Sequence, residues 1–190
     1  MLADVADPNA GDFPADSDAV AALLPAAVGV EKDYLSDYDL TTARTLLFGR
    51  LEGDLGWMNY IGHGNIDRMS SGGLMTTADV GGLRSAGMLP VLSALTCAVN
   101  RFEIPGYASL GEELVLQPGG GAMAAWGATG LSLDADAVQL DESLFKEVFQ
   151  SKAPVLGDAL RRSLQDNSGI PAFMLRIYNL LGDGALLLRH

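Results

Sequence analysis

Apolar and mixed stretches alternate in blocks along this chain. The nearly unbroken apolar runs "MLADVA", "WMNYIGHG", "MLPVLSALTCAV" and "GGAMAAWGATG" are separated by longer stretches in which apolar residues recur every three or four positions. A run of strand length with no polar face predicts an interior strand covered on both sides. The periodic stretches predict helices. The first is capped within Asp16 to Asp18 and runs through "DAVAALLPA". The next, "LTTARTLLFGRLEG", places Leu40, Ala43, Leu47 and Leu51 on one face and stops at Gly53. Further helices are expected in "TTADVGGLRSAG", in "SLGEELVLQ" and over residues 134 to 150, where Val138, Leu144, Phe145, Val148 and Phe149 share a face. "APVLGDALRRSLQDN" repeats that logic with proline in its first turn. The closing "FMLRIYNLLGDGALLL" reads as a helix, a Gly-Asp-Gly turn and a final strand. Strands alternating with helices predict an α/β fold, a mostly parallel sheet with helices on both faces.

Composition narrows this picture. No repeat, low-complexity tract or Ser/Pro-rich linker divides the chain, so residues 1 to 190 read as a single domain. With 48% hydrophobic and 19% charged residues, the chain can build a packed core. Its 24 acidic against 12 basic residues give a net charge of -12, which repels nucleic acid and anionic membranes. No apolar run is long enough to span a bilayer, so no membrane insertion is expected. The chain opens almost at once on an apolar stretch without a leader, which fits a domain excised from a larger protein. Much of the acid lies in "ADVADPNAGDFPADSD", where Asp4, Asp7, Asp12, Asp16 and Asp18 accompany Asn9 and Gly11. A solvated acidic loop is the simpler reading; a calcium loop is the sharper one, though the order does not reproduce EF-hand spacing.

Two rare residues carry the candidate chemistry. The chain has one cysteine, Cys97, and two histidines, His63 and the terminal His190, the latter read as a tail. Cys97 cannot form an intrachain disulfide. His63 and Cys97 each fall at the carboxyl end of a predicted strand, where parallel sheets bind their ligands. An imidazole and a thiol facing one crevice are the minimum for cysteine nucleophilic catalysis. The glycines around His63 allow close backbone approach, and the N–H groups of Gly64 and Cys97 could hold a developing oxyanion. Asp4, at the end of the first strand, is the candidate to orient His63, unless it belongs to the acidic loop. Trp126, with Gly127 and Ala128, is either core or the lining of a substrate pocket; Asp134 and Asp136 follow closely. The competing reading makes His63 and Cys97 plain core residues. No G-x-S-x-G elbow, Walker loop, dinucleotide fingerprint or zinc-ligand spacing is present, so no metal ligand set is assigned.

These residues resemble the catalytic domain of the gingipain family of cysteine peptidases, within the wider caspase-like fold. The resemblance rests on "NYIGHGN", "LTCAVNRFEIPGYASLGEELV", "GGGAMAAWGATGLS", "NLLGDGALLL" and the opening "LADVADPNAGDF", and so spans most of the chain. It implies a three-layer α/β sandwich and a cysteine endopeptidase acting on a protein or peptide substrate. By it His63 matches the catalytic histidine, Cys97 the nucleophile and Asp4 the acidic residue assisting the histidine. It implies no required cofactor, allows a structural calcium ion, and implies a secreted or cell-surface bacterial location. Two departures stand out: Gly184 replaces the proline usual after Gly-Asp, and members usually have further N-terminal structure. The alternatives are a caspase-like regulatory protease of another branch, or a non-catalytic or sorting-type module on the same fold.

Overall fold

The computed structural model describes residues 1 to 188; His190 lies outside the described residues. In chain order the strands are β1 (Leu2–Ala3), β2 (Asp33–Tyr34), β3 (Trp57–Ile61), β4 (Gly64–Asn65), β5 (Arg68–Met69), β6 (Met75–Thr76), β7 (Val91–Leu95), β8 (Ala124–Ala128) and β9 (Tyr178–Gly182). The helices are α1 (Phe13–Ala21), α2 (Leu40–Glu52), α3 (Thr77–Val80), α4 (Leu110–Leu116), α5 (Asp134–Phe145), α6 (Leu156–Asp166) and α7 (Ala172–Ile177). A π-helical turn, Lys146–Gln150, continues α5.

The main sheet runs β2-β1-β3-β7-β8-β9, parallel except for β9, which pairs antiparallel to β8. Side chains alternate across it with a period of two. Ile61, Val91, Leu95, Ala124, Trp126 and Ala128 meet α1, α5, α6 and α7 on one face. Met58, Tyr60, Leu92, Ala94 and Ala125 meet α2, α3 and α4 on the other. Both faces are covered, which is why the strands read as nearly continuous apolar runs. Two polar residues interrupt them, Asn59 and Ser93, which are cross-strand partners on the first face. They bond to each other and to Asp141 of α5, all three fully buried.

Several boundaries differ from the sequence reading. α1 starts earlier, because Asp12 and not Asp16 to Asp18 caps it, accepting a bond from Ala15 N–H with Pro14 in the first turn. The helix expected in "TTADVGGLRSAG" is a single turn, cut short where the two glycines lower helical propensity. The last strand precedes the Gly-Asp-Gly turn: Tyr178–Gly182 pairs with β8, and beyond the turn Leu187 makes one isolated bridge to Val155. The small antiparallel sheet β4-β5-β6 was not expected from the pattern. Its strands have two residues each, too few to show a period.

Candidate active site

Strands β3 and β7 are adjacent and parallel, with Ile61 opposite Leu95 at their carboxyl ends. His63 and Cys97 each lie two residues beyond these partners, just past the carboxyl ends of two neighbouring strands, which in any sheet run about 4.8 Å apart. The topology therefore delivers both rare side chains to one edge of the sheet. Further contacts tie the two segments together: Gly62 N–H donates to Leu95 C=O at 3.3 Å, and Gly64 packs on Thr96.

The glycines flanking His63 are required by what they touch. Gly62 has a φ of +154°, and a Cβ there would sit 2.5 Å from the Cβ of Asp4. A Cβ on Gly64 would collide with Thr96 Oγ1 and lie 3.0 Å from its Cγ2. Gly64→Ala is therefore expected to force the histidine segment away from the cysteine segment, costing about 1–3 kcal/mol of stability. Thermal melting beside the parent protein measures that cost; an unchanged midpoint would mean the segment yields freely.

His63 is about 43% exposed at its side chain and its Nε2 lies 2.9 Å from Asp7 Oδ2. The ring rests edge-on against Phe13, 5.3 Å between centroids. Its carbonyl accepts bonds from the Tyr60 hydroxyl at 2.6 Å and from Ser70 N–H at 2.8 Å, so the backbone behind the ring is held from two sides. Asp7 is itself fixed in a tight turn: its Oδ1 accepts from Asn9 N–H at 2.8 Å, and Asp7 and Gly11 form an antiparallel bridge. The Asn9 N–H first, and His63 second, hold its carboxyl below the usual aspartate range.

The acidic partner of the histidine is thus Asp7, not Asp4. β1 ends at Ala3, so Asp4 is only 5% exposed. Its carboxylate accepts from Val5 N–H at 3.0 Å and from Ser70 Oγ at 3.3 Å. The chain needs three further residues to arc over the sheet edge to the ring. The cue lay in "DPNAG", where an aspartate followed by Asn and Gly signals an Asx-type turn.

Cys97 is half-buried. Its sulfur accepts a hydrogen bond from Ser132 N–H at 3.4 Å. Ala98, the next residue, has a φ of +58°, a left-handed conformation that costs a non-glycine residue about 1 kcal/mol or more. Its N–H donates to Gly130 C=O at 3.0 Å, which helps hold the bend. Among the described residues the Cys97 N–H has no hydrogen-bond acceptor. Gly64 pairs with Met69, and the bond from Ser70 N–H to His63 C=O marks the neighbouring pair as the hydrogen-bonded one. In an antiparallel ladder these pairs alternate, so the Gly64 N–H points away from β5.

Trp126, Gly127 and Ala128 are all buried. Trp126 is 1% exposed and packs on Tyr178, 5.0 Å between ring centroids. Gly127 backs onto Val99, and Ala128 is fully buried. As central residues of a strand covered on both faces they belong to the core. The site is lined instead by the loop after β8, through Ser132, and by Asp134 at the start of α5. Asp134 shares a hydrogen bond with Asp16. Burial chiefly, then the Asp16 charge, pushes Asp134 up to about 6, while nearby His63 pulls the other way. Among the described residues no group of three or more His, Cys, Asp or Glu side chains is arranged to hold a metal ion.

The sequence profile of peptidase family C25 matches residues 1–189. The chain belongs to this family of cysteine peptidases. Gingipain R (RgpB), an Arg-specific cysteine proteinase, shares the fold with a TM-score of 0.83 and 19% identity over 99% of this chain. The match covers 47% of the gingipain R chain, so this C25 domain spans about half of that protein. RgpB of Porphyromonas gingivalis in its complex of pro- and mature domains matches with a TM-score of 0.81 at 18% identity, over 99% of this chain and 48% of that one. A structure described only as a protease matches at 0.64 and 17% identity, over 74% of this chain and 37% of its own. A search of curated proteins found no match. The fold of this C25 chain is the caspase-like α/β sandwich expected from the sequence.

Proposed function

We propose that this C25 domain is a cysteine endopeptidase with Cys97 as nucleophile, His63 as proton carrier and Asp7 orienting the imidazole. The single observation supporting it is the delivery of His63 and Cys97 to the same edge by two paired parallel strands, with Asp7 2.9 Å from the ring. The Cys97 thiolate attacks the scissile carbonyl, forming a C–S bond as the carbonyl π electrons move onto oxygen. The N–H groups of Cys97 and Gly64 stabilise that oxyanion. His63 gives its proton to the leaving amine as the C–N bond breaks, then takes one from the water that releases the acyl group. Asp7 stabilises the imidazolium and sets its orientation, as the acidic member does in other triads.

The substrate is a protein or peptide. The carboxyl of Asp134 near His63, with Asp16 hydrogen-bonded behind it, favours a basic side chain next to the scissile bond, since a cation there offsets the Asp16 charge that helps raise Asp134. The arginine specificity of gingipain R agrees with this preference. A secreted or cell-surface location, expected from the resemblance, belongs to the same proposal; no helix among the described residues is long and apolar enough to cross a membrane.

Fluorogenic peptides carrying Arg, Lys, Leu or Asp before the cleavable bond test the reading, together with a peptidyl chloromethyl ketone and mass spectrometry. Hydrolysis fastest for Arg or Lys, and a single adduct on Cys97, are expected. No turnover of any peptide and no adduct would leave the non-catalytic module as the better account.

A further inference from the structure

The loop after β8, residues 129 to 133, touches the cysteine segment on one side and α7 with the start of β9 on the other. On the cysteine side, Ser132 N–H donates to Cys97 Sγ at 3.4 Å and Gly130 C=O accepts from Ala98 N–H at 3.0 Å. On the far side, Thr129 N–H donates to Ile177 C=O at 2.8 Å and Leu133 N–H reaches Met174 Sδ at 3.4 Å. The Ser132 side chain itself is held on this side: its Oγ lies 2.8 Å from the Tyr178 hydroxyl. Tyr178 is 4% exposed, opposite Ala128 in the β8–β9 ladder and packed on Trp126, so its position is fixed by the core. Burial keeps that hydroxyl protonated, leaving it a hydrogen to donate to Ser132.

We propose that Tyr178 is a positioning residue for the nucleophile: through Ser132 it holds the backbone N–H that the Cys97 sulfur accepts, and so keeps the sulfur reactive in its attacking position. The proposal rests on Cys97 as the reactive group. A hydrogen bond donated to sulfur favours the anion over the thiol, and the thiolate is the attacking form. The N–H helps only while it points at the sulfur. Ser132 has exposed leucines on both sides, Leu131 and Leu133, which add little packing to hold it. Release of the Oγ–Tyr178 contact frees the donor to turn away.

Cys97 is the only cysteine, so alkylation by iodoacetamide reports on it alone. The rate is followed against pH for the parent protein, Tyr178→Phe, Ser132→Ala and the double variant, with melting temperatures beside it. Each single variant is expected to slow alkylation roughly 3- to 10-fold across the neutral range, because the sulfur loses its held N–H donor. The double variant is expected to slow it no further, because both changes break one contact. Superimposable profiles overturn the proposal, as do losses that add in the double variant. A lower melting temperature with an unmoved profile also overturns it, assigning Tyr178 to packing alone. The readout uses no peptide. Slowed alkylation in a protein that cleaves nothing would uphold the positioning role while removing the peptidase reading.

Discussion

Cys97→Ala is expected to lower peptide hydrolysis by at least about 10³-fold while leaving the fold intact. The size of the loss follows from what is removed. Without sulfur there is no acyl-enzyme, and only substrate binding and the two oxyanion N–H groups remain to assist direct attack by water. In other nucleophile triads that residue of catalysis is itself roughly 10³- to 10⁴-fold over water. His63→Ala should fall to a similar rate, and the double variant hardly lower, because nucleophile and proton carrier act as a unit. Stability should behave differently. Cys97 is half-buried and a single sulfur is lost, so a cost below about 1 kcal/mol is expected. The competing view, with both residues in purely structural roles, predicts the reverse pattern. Turnover of the preferred fluorogenic peptide, measured beside a melting curve, separates the two. Unfolding without selective loss of turnover would remove the catalytic assignment.

What could be read in the chain depended on the range over which each feature is decided. Strands β3, β7 and β8 were legible because two-sided burial writes itself locally as a run of apolar residues. The placement of His63 and Cys97 past the carboxyl ends of strands was legible from the apolar runs that precede them, while the pairing of β3 with β7 that makes those ends neighbours was seen only in the fold. The partner of His63 was not legible, because it depends on how far the chain travels after β1 before turning back. Asp4 and Asp7 differ by one short arc, and only the Asx turn at Asn9 decides between them. Trp126 looked like pocket or core from its neighbours alone; the antiparallel return of β9, which brings Tyr178 onto it, makes it core. Ser132 carries no sequence cue. It acts through its backbone N–H, a group every residue except proline has.

The departures from pattern inside the strands lead to the second large effect. Asn59 and Ser93 interrupt β3 and β7 at paired positions, and Asp141 descends on them from α5. Asn59 Nδ2 donates to Asp141 Oδ2 at 2.6 Å and to Ser93 Oγ at 2.8 Å, and Trp57 Nε1 donates to the same Oγ at 2.9 Å. Among the described residues the other oxygens of Asp141 and Asn59 have no donor. Burial without a cation pushes the Asp141 carboxyl up to about 8, with Asn59 and Ser93 pulling only partly against it. The folded state therefore holds this proton more tightly than the unfolded chain. Below about pH 4 both states are protonated and the group adds no pH dependence. Between about 4 and 8 the unfolded chain releases its proton and the folded state keeps it, so stability falls as pH rises, by at most roughly 1.4 kcal/mol per unit. Asp134 works in the same direction up to about pH 6. Asp141→Asn removes the larger of these couplings and keeps an acceptor for Asn59. It is expected to melt with the parent protein near pH 5 and roughly 5–10 °C above it at pH 8, for a gain on the order of a few kcal/mol. Asp141→Ala should instead lose about 2–4 kcal/mol near pH 5, where the parent's proton is in place, because it leaves a cavity and takes the acceptor from Asn59. Melting curves at pH 5, 6.5 and 8 decide the matter: if parent and Asp141→Asn lose stability in parallel across that range, Asp141 is not the group that titrates.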